Sequence, residues 1–407
     1  MAKKRIFEGL KIADFTWLGV GPIAMKFMAE MGATVIHIES YTRPDICRVS
    51  PPYKDWQPGI NRSAFFAVYN DSKYGITLNL RIPQAQEVAK RIINNWADVV
   101  ADAHLPGVME SWGLDYETLK KEKPDLIHVA TALQGKTGPY SKMPGHGMVG
   151  VSLCGFTQLT GWPDREPTVP FGALTDFLTF PHMVTALISA LLYRKKTGKG
   201  QYIEISQLEC SAQYLAPPIM DYMINGRILT RMGNRSPHAS PHAVYRCRGE
   251  GEKWCAIVVS NEEDWDNFCR VIGNPDWTRD PKFATFRARK ENEEELNEFV
   301  EGWTANHSPE EVMTRLQEAG VAAGMVESGE DLVADPQLNH RGTHVILEHP
   351  EIGPHIYQPP PYKLSKTPPQ LTMPAPCLGQ HNEYVLKEIL GMSDDEVADL
   401  LIAGALE

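Results

Sequence analysis

In the first part of the chain, short apolar runs alternate with amphipathic stretches in a regular order. Leu10 to Phe15 reads as a buried strand, Gly19 to Pro22 as a turn, Ile23 to Met31 as a helix and Thr34 to Ile38 as a second strand. Pro22 suits the first helical position, where its missing N–H is no loss, and Gly32 suits the helix exit. The order then repeats. Ile76 to Leu80 alternates as a strand does, Ala85 to Asn95 is an amphipathic helix, Asp98 to Val100 a strand, Tyr116 to Lys123 a helix and Asp125 to Thr131 a strand. Strands and helices in this alternation predict an α/β fold with a Rossmann-like parallel sheet covered on both faces.

From Gln134 to Pro170 glycine and proline dominate, as in the irregular backbone where sites are commonly built. The apolar run Phe177 to Tyr193 predicts a core helix, Gln201 to Ser206 a strand and Leu208 to Tyr222 a further helix. Gly226 to Pro241, polar and broken by prolines, reads as a linker. Beyond it Ala243 to Cys247 and Trp254 to Val259 alternate like paired strands. Helices are expected at Glu262 to Ile272, Glu291 to Thr304 and Pro309 to Ala319, the last capped by Ser308. The pattern divides the chain into a large α/β domain (1–225), a smaller α+β domain with its linker (226–330) and a C-terminal segment (331–407), too short to stand alone, that returns to the first.

Composition narrows the partners. With 40 Lys and Arg against 51 Asp and Glu, the 407 residues carry a net charge of −11, which argues against general binding to nucleic acid or to an anionic membrane. Met1 to Phe7 is basic but leads into no signal-like apolar stretch, and no uninterrupted apolar segment of about 18 residues is expected, so the default location is cytoplasmic. The seven cysteines are scattered and lack a C-x-x-C pair, which fits reduced thiols. His238 and His242 have a helical spacing that Pro237 and Pro241 spoil, and no metal site is expected.

Two places invite chemistry. Asp176, in Gly172-Ala173-Leu174-Thr175-Asp176, directly precedes the apolar run. An Asp at a helix start accepts backbone N–H bonds, has its anion favoured by the helix dipole and can serve as a nucleophile; the plainer reading is a helix N-cap. Gly19-Val20-Gly21-Pro22-Ile23-Ala24 fits G-x-G-x-x-A between a strand and a helix, with Glu39 closing the next strand, so an NAD-dependent dehydrogenase is one alternative.

Several separated segments together resemble the class III (CaiB/BaiF) CoA-transferase family over nearly the whole chain. They are Leu10 to Phe15 with Gly21-Pro22, Met31 to Glu39, Asp45-Ile46-Cys47-Arg48, Asn70-Asp71-Ser72-Lys73, Gly107 to Glu117, Gly135 to Tyr140 and Arg194 to Ser206. The resemblance implies an enzyme that moves CoA from an acyl-CoA to a free carboxylic acid, with the CoA thioester as cosubstrate and no permanently bound cofactor. It implies that Asp176, which precedes Arg-x-x-Thr-Gly-x-Gly-Gln at Arg194 to Gln201, is the nucleophile, acting through a mixed anhydride and an aspartyl-CoA thioester with water kept out. It also aligns Arg81, His104 and the turn at Gly19-Val20 with the cationic or N–H-rich surroundings of the CoA phosphates and Leu78 and Trp112 with its adenine, although Ala103-His104 and Ser111 depart from the family's usual residues.

Acyl-CoA racemases of the same superfamily use a His and an Asp on opposite faces of the substrate, and His146 stands at a suitable spacing before Asp176. An α-methylacyl-CoA racemase is therefore the second reading. Those racemases carry Gly-His-Asp, whereas Gly145-His146-Gly147 lacks the carboxylate that supports proton transfer, which leaves His146 as a pocket residue. Tyr41 to Asp45, Gly161 to Pro167 and Gly233-Asn234-Arg235 resemble the benzylsuccinate CoA-transferase branch. That branch implies succinyl-CoA as donor and an aryl-substituted succinate as acceptor, with Arg235 or Arg231 pairing with the spare carboxylate; the plainer reading is solvated linker arginines. The family further implies an interlocked homodimer or a heterodimer with a paralogous subunit.

Overall fold

The computed structural model describes residues 5–407, so the basic stretch at Met1 to Lys4 lies outside the described residues. The chain folds as two units: one runs to Thr157 and adds Val169–Ile228 and Leu338–Glu407, and the other comprises Gln158–Thr168 with Leu229–Gln337.

The first unit is built on six strands, β1 (Lys11–Phe15), β2 (Thr34–Glu39), β3 (Tyr74–Thr77), β4 (Val99–Asp102), β5 (Ile127–Ala132) and β6 (Gln201–Ser206). They are all parallel and lie in the order β3-β2-β1-β4-β5-β6. This is the Rossmann-like order, in which the chain reverses its direction of travel between β1 and β4 and opens a crevice at the carboxyl ends of those strands. Successive side chains on a strand point to opposite faces, and the two cores divide accordingly. Ala13, Phe15, Ile36, Ile38 and Val100 pack with α2 (Pro83–Asn95) and with Leu386 and Leu400 of the C-terminal tail. Ile12, Val35, Val99, Ala101 and Val129 pack on the other face against α1 (Val20–Glu30) and a long helix that begins at Leu174.

Several boundaries differ from the sequence expectation for identifiable reasons. Helix α1 starts at Val20, so Pro22 is its third residue; this is still in the first turn, where no N–H has an intrahelical acceptor. Gly21 permits that early start, because a Cβ there would collide with the Thr16 side chain. The helix expected over Leu208 to Tyr222 is interrupted, with separate helices at Gln207–Ala212 and Ala216–Asn225, because Pro217 and Pro218 cannot continue the N–H ladder of the first.

The helix Leu174–Thr197 is, contrary to expectation, long and apolar enough by length and composition to cross a membrane. Met183, Val184, Leu187 and Ala190 of this helix are nevertheless buried in the core beside α1, and Arg194, Lys195 and Lys196 occupy its last turn, where the helix dipole favours cations.

The second unit holds an antiparallel three-stranded sheet of His242–Arg246, Trp254–Val258 and Ala322–Met325, with helices at Glu262–Val271, Glu293–Thr304 and Pro309–Glu318. Its core gathers Tyr245, Ile257, Trp265, Phe268, Leu296, Val300 and Leu316. Ser308 caps the third helix in a reciprocal capping box with Glu311, as Ser-Pro-Glu-Glu suggests.

Charged side chains lie under the carboxyl ends of β1 to β3. Arg48 Nε and Nη2 donate to Glu39 Oε1 and Oε2 at 2.8 and 2.7 Å, with both residues 1% exposed. Lys73 Nζ donates to Asp14 Oδ2 at 3.1 Å and to Asn70 Oδ1 at 2.9 Å, and His37 Nδ1 lies 3.1 Å from the same Asp14 oxygen. Burial pushes the Asp14 pKa up, but Lys73 and His37 outweigh it and hold the carboxyl below its ordinary range. Burial lowers the Lys73 pKa against the pull of Asp14. Removing one member of such a pair strands a buried charge, whereas removing both need not. Lys73→Met is therefore expected to destabilise the first unit by about 3–5 kcal/mol, read as a lower urea midpoint, and Asp14→Leu combined with Lys73→Met by less than Lys73→Met alone.

Candidate active site

Asp176 is the third residue of α3 (Leu174–Thr197), two positions beyond a first-turn start whose N-cap is Ala173. It is thus not the cap expected from sequence. Its backbone N–H donates to Ala173 O at 2.8 Å, and no hydrogen bond or ion pair to its carboxylate is found among the described residues. The residue is 4% exposed, and burial pushes its pKa up to about 7. This corrects the expectation of an anion settled by N–H bonds: desolvation dominates, and the carboxylate titrates near neutrality.

Against that carboxylate stands Gly19, the N-cap of α1. A Cβ on Gly19 would overlap Asp176 Oδ2, so only glycine leaves this oxygen its place. Together with Val20, Gly21 and Asp176, Gly19 lines a cleft of about 680 Å³ whose walls include Trp17, Leu18, Thr131, Leu133, His146 and Gln207. Two helix starts therefore meet the cleft, and the first N–H groups of α1 have no intrahelical acceptor.

A second cavity of about 300 Å³ shares Trp17, Thr42, Arg43, Ala103, His104 and Leu105 with the cleft. Leu78, Arg81 and Trp112 line it, at the crevice where the strand order reverses. All six positions aligned with CoA contacts, Gly19, Val20, Leu78, Arg81, His104 and Trp112, are thus brought to two cavities with a common wall. His146 shares the larger one with Asp176.

His104 does not have the character expected of it. Burial lowers its pKa to about 4, and its ring sits edge-on between Trp17 and Trp112, with centroids 5.2 Å away on each side. The backbone N–H of His104 donates to Asp102 Oδ1 at 3.0 Å, which fixes the residue after β4. At neutral pH it is an uncharged ring in an aromatic wall and not a cation for phosphate; Arg81, with an exposed side chain, and Arg43 can supply that charge. Arg43 and Trp17 line both cavities, with the guanidinium 5.8 Å from the indole, and neither was singled out from sequence as a site residue. Their place just past the ends of β2 and β1 was the available signal.

Arg235 belongs to the second unit, where it donates to Glu294 Oε1 at 2.9 Å. Arg231, in the same unit, donates to Gln158 O at 3.3 Å. Both are already engaged, and the lining of the Asp176 cleft comes from the first unit. The dinucleotide reading also loses its acidic residue: Glu39, needed for a ribose, is consumed by Arg48 and by the Asp45 N–H at 3.2 Å. Thr131 Oγ1 and Gln207 Oε1, in the cleft wall, are buried without a hydrogen-bond partner among the described residues. No grouping of His, Cys, Asp and Glu suited to a metal ion occurs among the described residues.

The chain resembles known proteins over nearly its whole length. The chain is 30% identical over 391 residues to succinate–glutarate CoA-transferase of Agrobacterium fabrum, covering 95% of this chain and 96% of that one. It is 29% identical over 398 residues to succinyl-CoA–D-citramalate CoA-transferase of Chloroflexus aurantiacus, covering 97% of each. The crystal structure of a CaiB/BaiF family protein from Brucella suis superimposes with a TM-score of 0.87 at 29% identity, over 95% of this chain and 100% of that one. The model of CoA-transferase family III matches residues 7–382, and the chain belongs to that family and is a CoA-transferase that uses a CoA thioester as cosubstrate.

Proposed function

We propose that this enzyme moves CoA from succinyl-CoA to a second, substituted dicarboxylic acid through covalent intermediates on Asp176. The observation that carries the reading is the Asp176 carboxylate itself, desolvated, free of ion pairs among the described residues, and set in the wall of a cleft that adjoins a nucleotide-sized cavity.

In the proposed sequence an Asp176 oxygen attacks the thioester carbonyl carbon, the C–O bond forms as the C–S bond breaks, and CoA leaves as a thiolate. The thiolate then attacks the aspartyl carbonyl of the resulting anhydride, giving an aspartyl-CoA thioester and releasing the first acid as its carboxylate. The acceptor carboxylate repeats the exchange in reverse and regenerates Asp176. Dividing the transfer in this way lets a weak base act through successive acyl transfers. The N–H groups at the start of α1 are placed to receive the negative charge that moves between oxygen and sulfur.

The relatives named above act with succinyl-CoA or succinate and with D-citramalate or glutarate, which supports a dicarboxylic acceptor. Ile46, Val49 and Leu105, exposed apolar residues in the cleft wall, favour an apolar substituent on it. Thr131 and Gln207 add uncommitted polar atoms. An aryl-substituted succinate combines these features. Racemase chemistry is the second reading because His146 shares the cleft, but no carboxylate hydrogen-bonds its ring among the described residues.

Asp176→Ala is expected to lower CoA exchange between succinyl-CoA and labelled succinate by at least about 10³-fold, the scale on which loss of a nucleophile acts. Retained exchange would exclude Asp176 as the nucleophile. Because the attacking form is the carboxylate and its pKa is near 7, kcat/KM should rise with pH up to about 7 and then level. Below that point it should fall about tenfold per pH unit; an acid limb centred near the ordinary Asp value would contradict the desolvated state. In deuterated water, a chirally pure 2-methylacyl-CoA without acceptor acid should gain no deuterium at its α-carbon, and turnover should require a free acid. Deuterium uptake would favour the racemase.

A further inference from the structure

Leu18, between the end of β1 and the start of α1, has φ +74°, in the left-handed region. For a residue other than glycine this conformation is strained and persists only where neighbours enforce it. The enforcement comes from one short segment. Both carboxylate oxygens of Asp45 lie within hydrogen-bond reach of the Leu18 N–H, at 3.2 and 3.1 Å, and Asp45 Oδ1 also accepts the Cys47 N–H at 2.8 Å. Cys47 Sγ donates to the Leu18 carbonyl oxygen at 3.3 Å, so the turn is held on both sides of the residue.

Asp45 is fully buried and forms no ion pair among the described residues. Burial, and then the neighbouring Glu39, push its pKa up to about 6. A buried carboxylate served chiefly by backbone N–H groups is an expensive way to make a loop. Its position explains it. Leu18 lines the cleft, and the next residue is Gly19, whose Cα abuts the Asp176 carboxylate.

We propose that Asp45 is the positioning residue of the Asp176 centre: by clamping Leu18 in the left-handed conformation it sets Gly19 and the first N–H groups of α1 against the Asp176 carboxylate. The proposal rests on Asp176 being the nucleophile. Asp45 touches neither substrate nor Asp176; it acts through the turn. Asparagine makes a weaker clamp: its one oxygen can still accept from Leu18 and Cys47, but its amide nitrogen, in the place of Oδ2, is a donor facing the Leu18 N–H.

The experiment compares wild type, Asp45→Asn, Leu18→Gly and Asp45→Asn with Leu18→Gly. For each it measures kcat, KM for acyl-CoA, and the rate at which hydroxylamine converts residue 176 to its hydroxamate during turnover, read by peptide mass spectrometry. Asp45→Asn should lower kcat and the labelling rate by about 10- to 100-fold, the scale of a small misplacement at a reacting centre, and change KM less than about threefold. Glycine adopts the left-handed conformation without a clamp, so Asp45→Asn should have little further effect once Leu18→Gly is present. Wild-type kcat in Asp45→Asn, or an equal loss in the Leu18→Gly background, would overturn the proposal and leave Asp45 as a packing residue. Absence of label at residue 176 in the wild type would instead overturn the nucleophile reading and this proposal with it. Should Asp45→Asn not fold, Leu18→Val tests the same turn, since a β-branched residue resists φ +74° more strongly; an unchanged kcat in Leu18→Val would overturn the clamp.

Discussion

Arg48 and Glu39 meet in the interior through paired hydrogen bonds, with the guanidinium also stacked 3.6 Å from the Phe66 ring and one nitrogen donating to the Pro376 carbonyl. Ions so placed lose most of their hydration, and only dense hydrogen bonding makes their burial tolerable. The arrangement ties the end of β2 to the segment at Asp45 and to the C-terminal tail. Glu39 also accepts the Asp45 N–H, and Asp45 holds Leu18. A parallel chain runs from Lys73 through Asp14, whose Oδ1 accepts the Thr16 N–H at 2.9 Å. Both chains end at the turn between β1 and α1. The buried charges therefore do not serve general stability so much as one loop, whose conformation decides what can stand beside Asp176.

This gives physical content to the segments by which the family was recognised. Asp45-Ile46-Cys47-Arg48 and Asn70-Asp71-Ser72-Lys73 contribute no catalytic group to the cleft in the proposed mechanism. They supply the Asp45 clamp, the Arg48 partner of Glu39, and Asn70 and Lys73 around Asp14. Charged residues in such motifs invite assignment as ligand contacts, yet here burial and mutual pairing account for most of them. The cavity walls are formed instead by less patterned residues beyond the strand ends, Trp17, Arg43 and His104.

Much of the fold was legible because it rests on local periodicity. Strands β1, β2 and β6 and the helices at Glu262 and Pro309 stand where alternation and capping residues put them. The site was legible in part. Asp176, Gly19 and Trp112, all singled out from the sequence, line common or adjoining cavities. What local pattern could not convey was environment. His104 reads as a phosphate cation until two indoles and a buried backbone enclose it. Arg235 reads as a carboxylate receptor, and its surface pairing with Glu294 appears only in the structure. The left-handed backbone at Leu18 leaves no trace in a leucine, and only its neighbours reveal it.

The helix-cap reading of Asp176 and the nucleophile reading make opposite demands. A cap gains by giving its oxygens to N–H groups, which stabilises the anion, lowers its pKa and weakens it as a base. A nucleophile gains from an anion that is poorly solvated but still accessible near neutral pH. On the proposed reading the second demand is the one met: Asp176 lies three residues beyond the cap position of α3, its carboxylate finds no partner among the described residues, and its pKa rises to about 7. Gly19 then keeps the space beside Oδ2 free of a side chain without filling it with a donor strong enough to quench the anion. On the proposed reading, reactivity at this aspartate arises from what its surroundings withhold, and the surrounding charges are placed at a distance where they hold the backbone instead of the carboxylate.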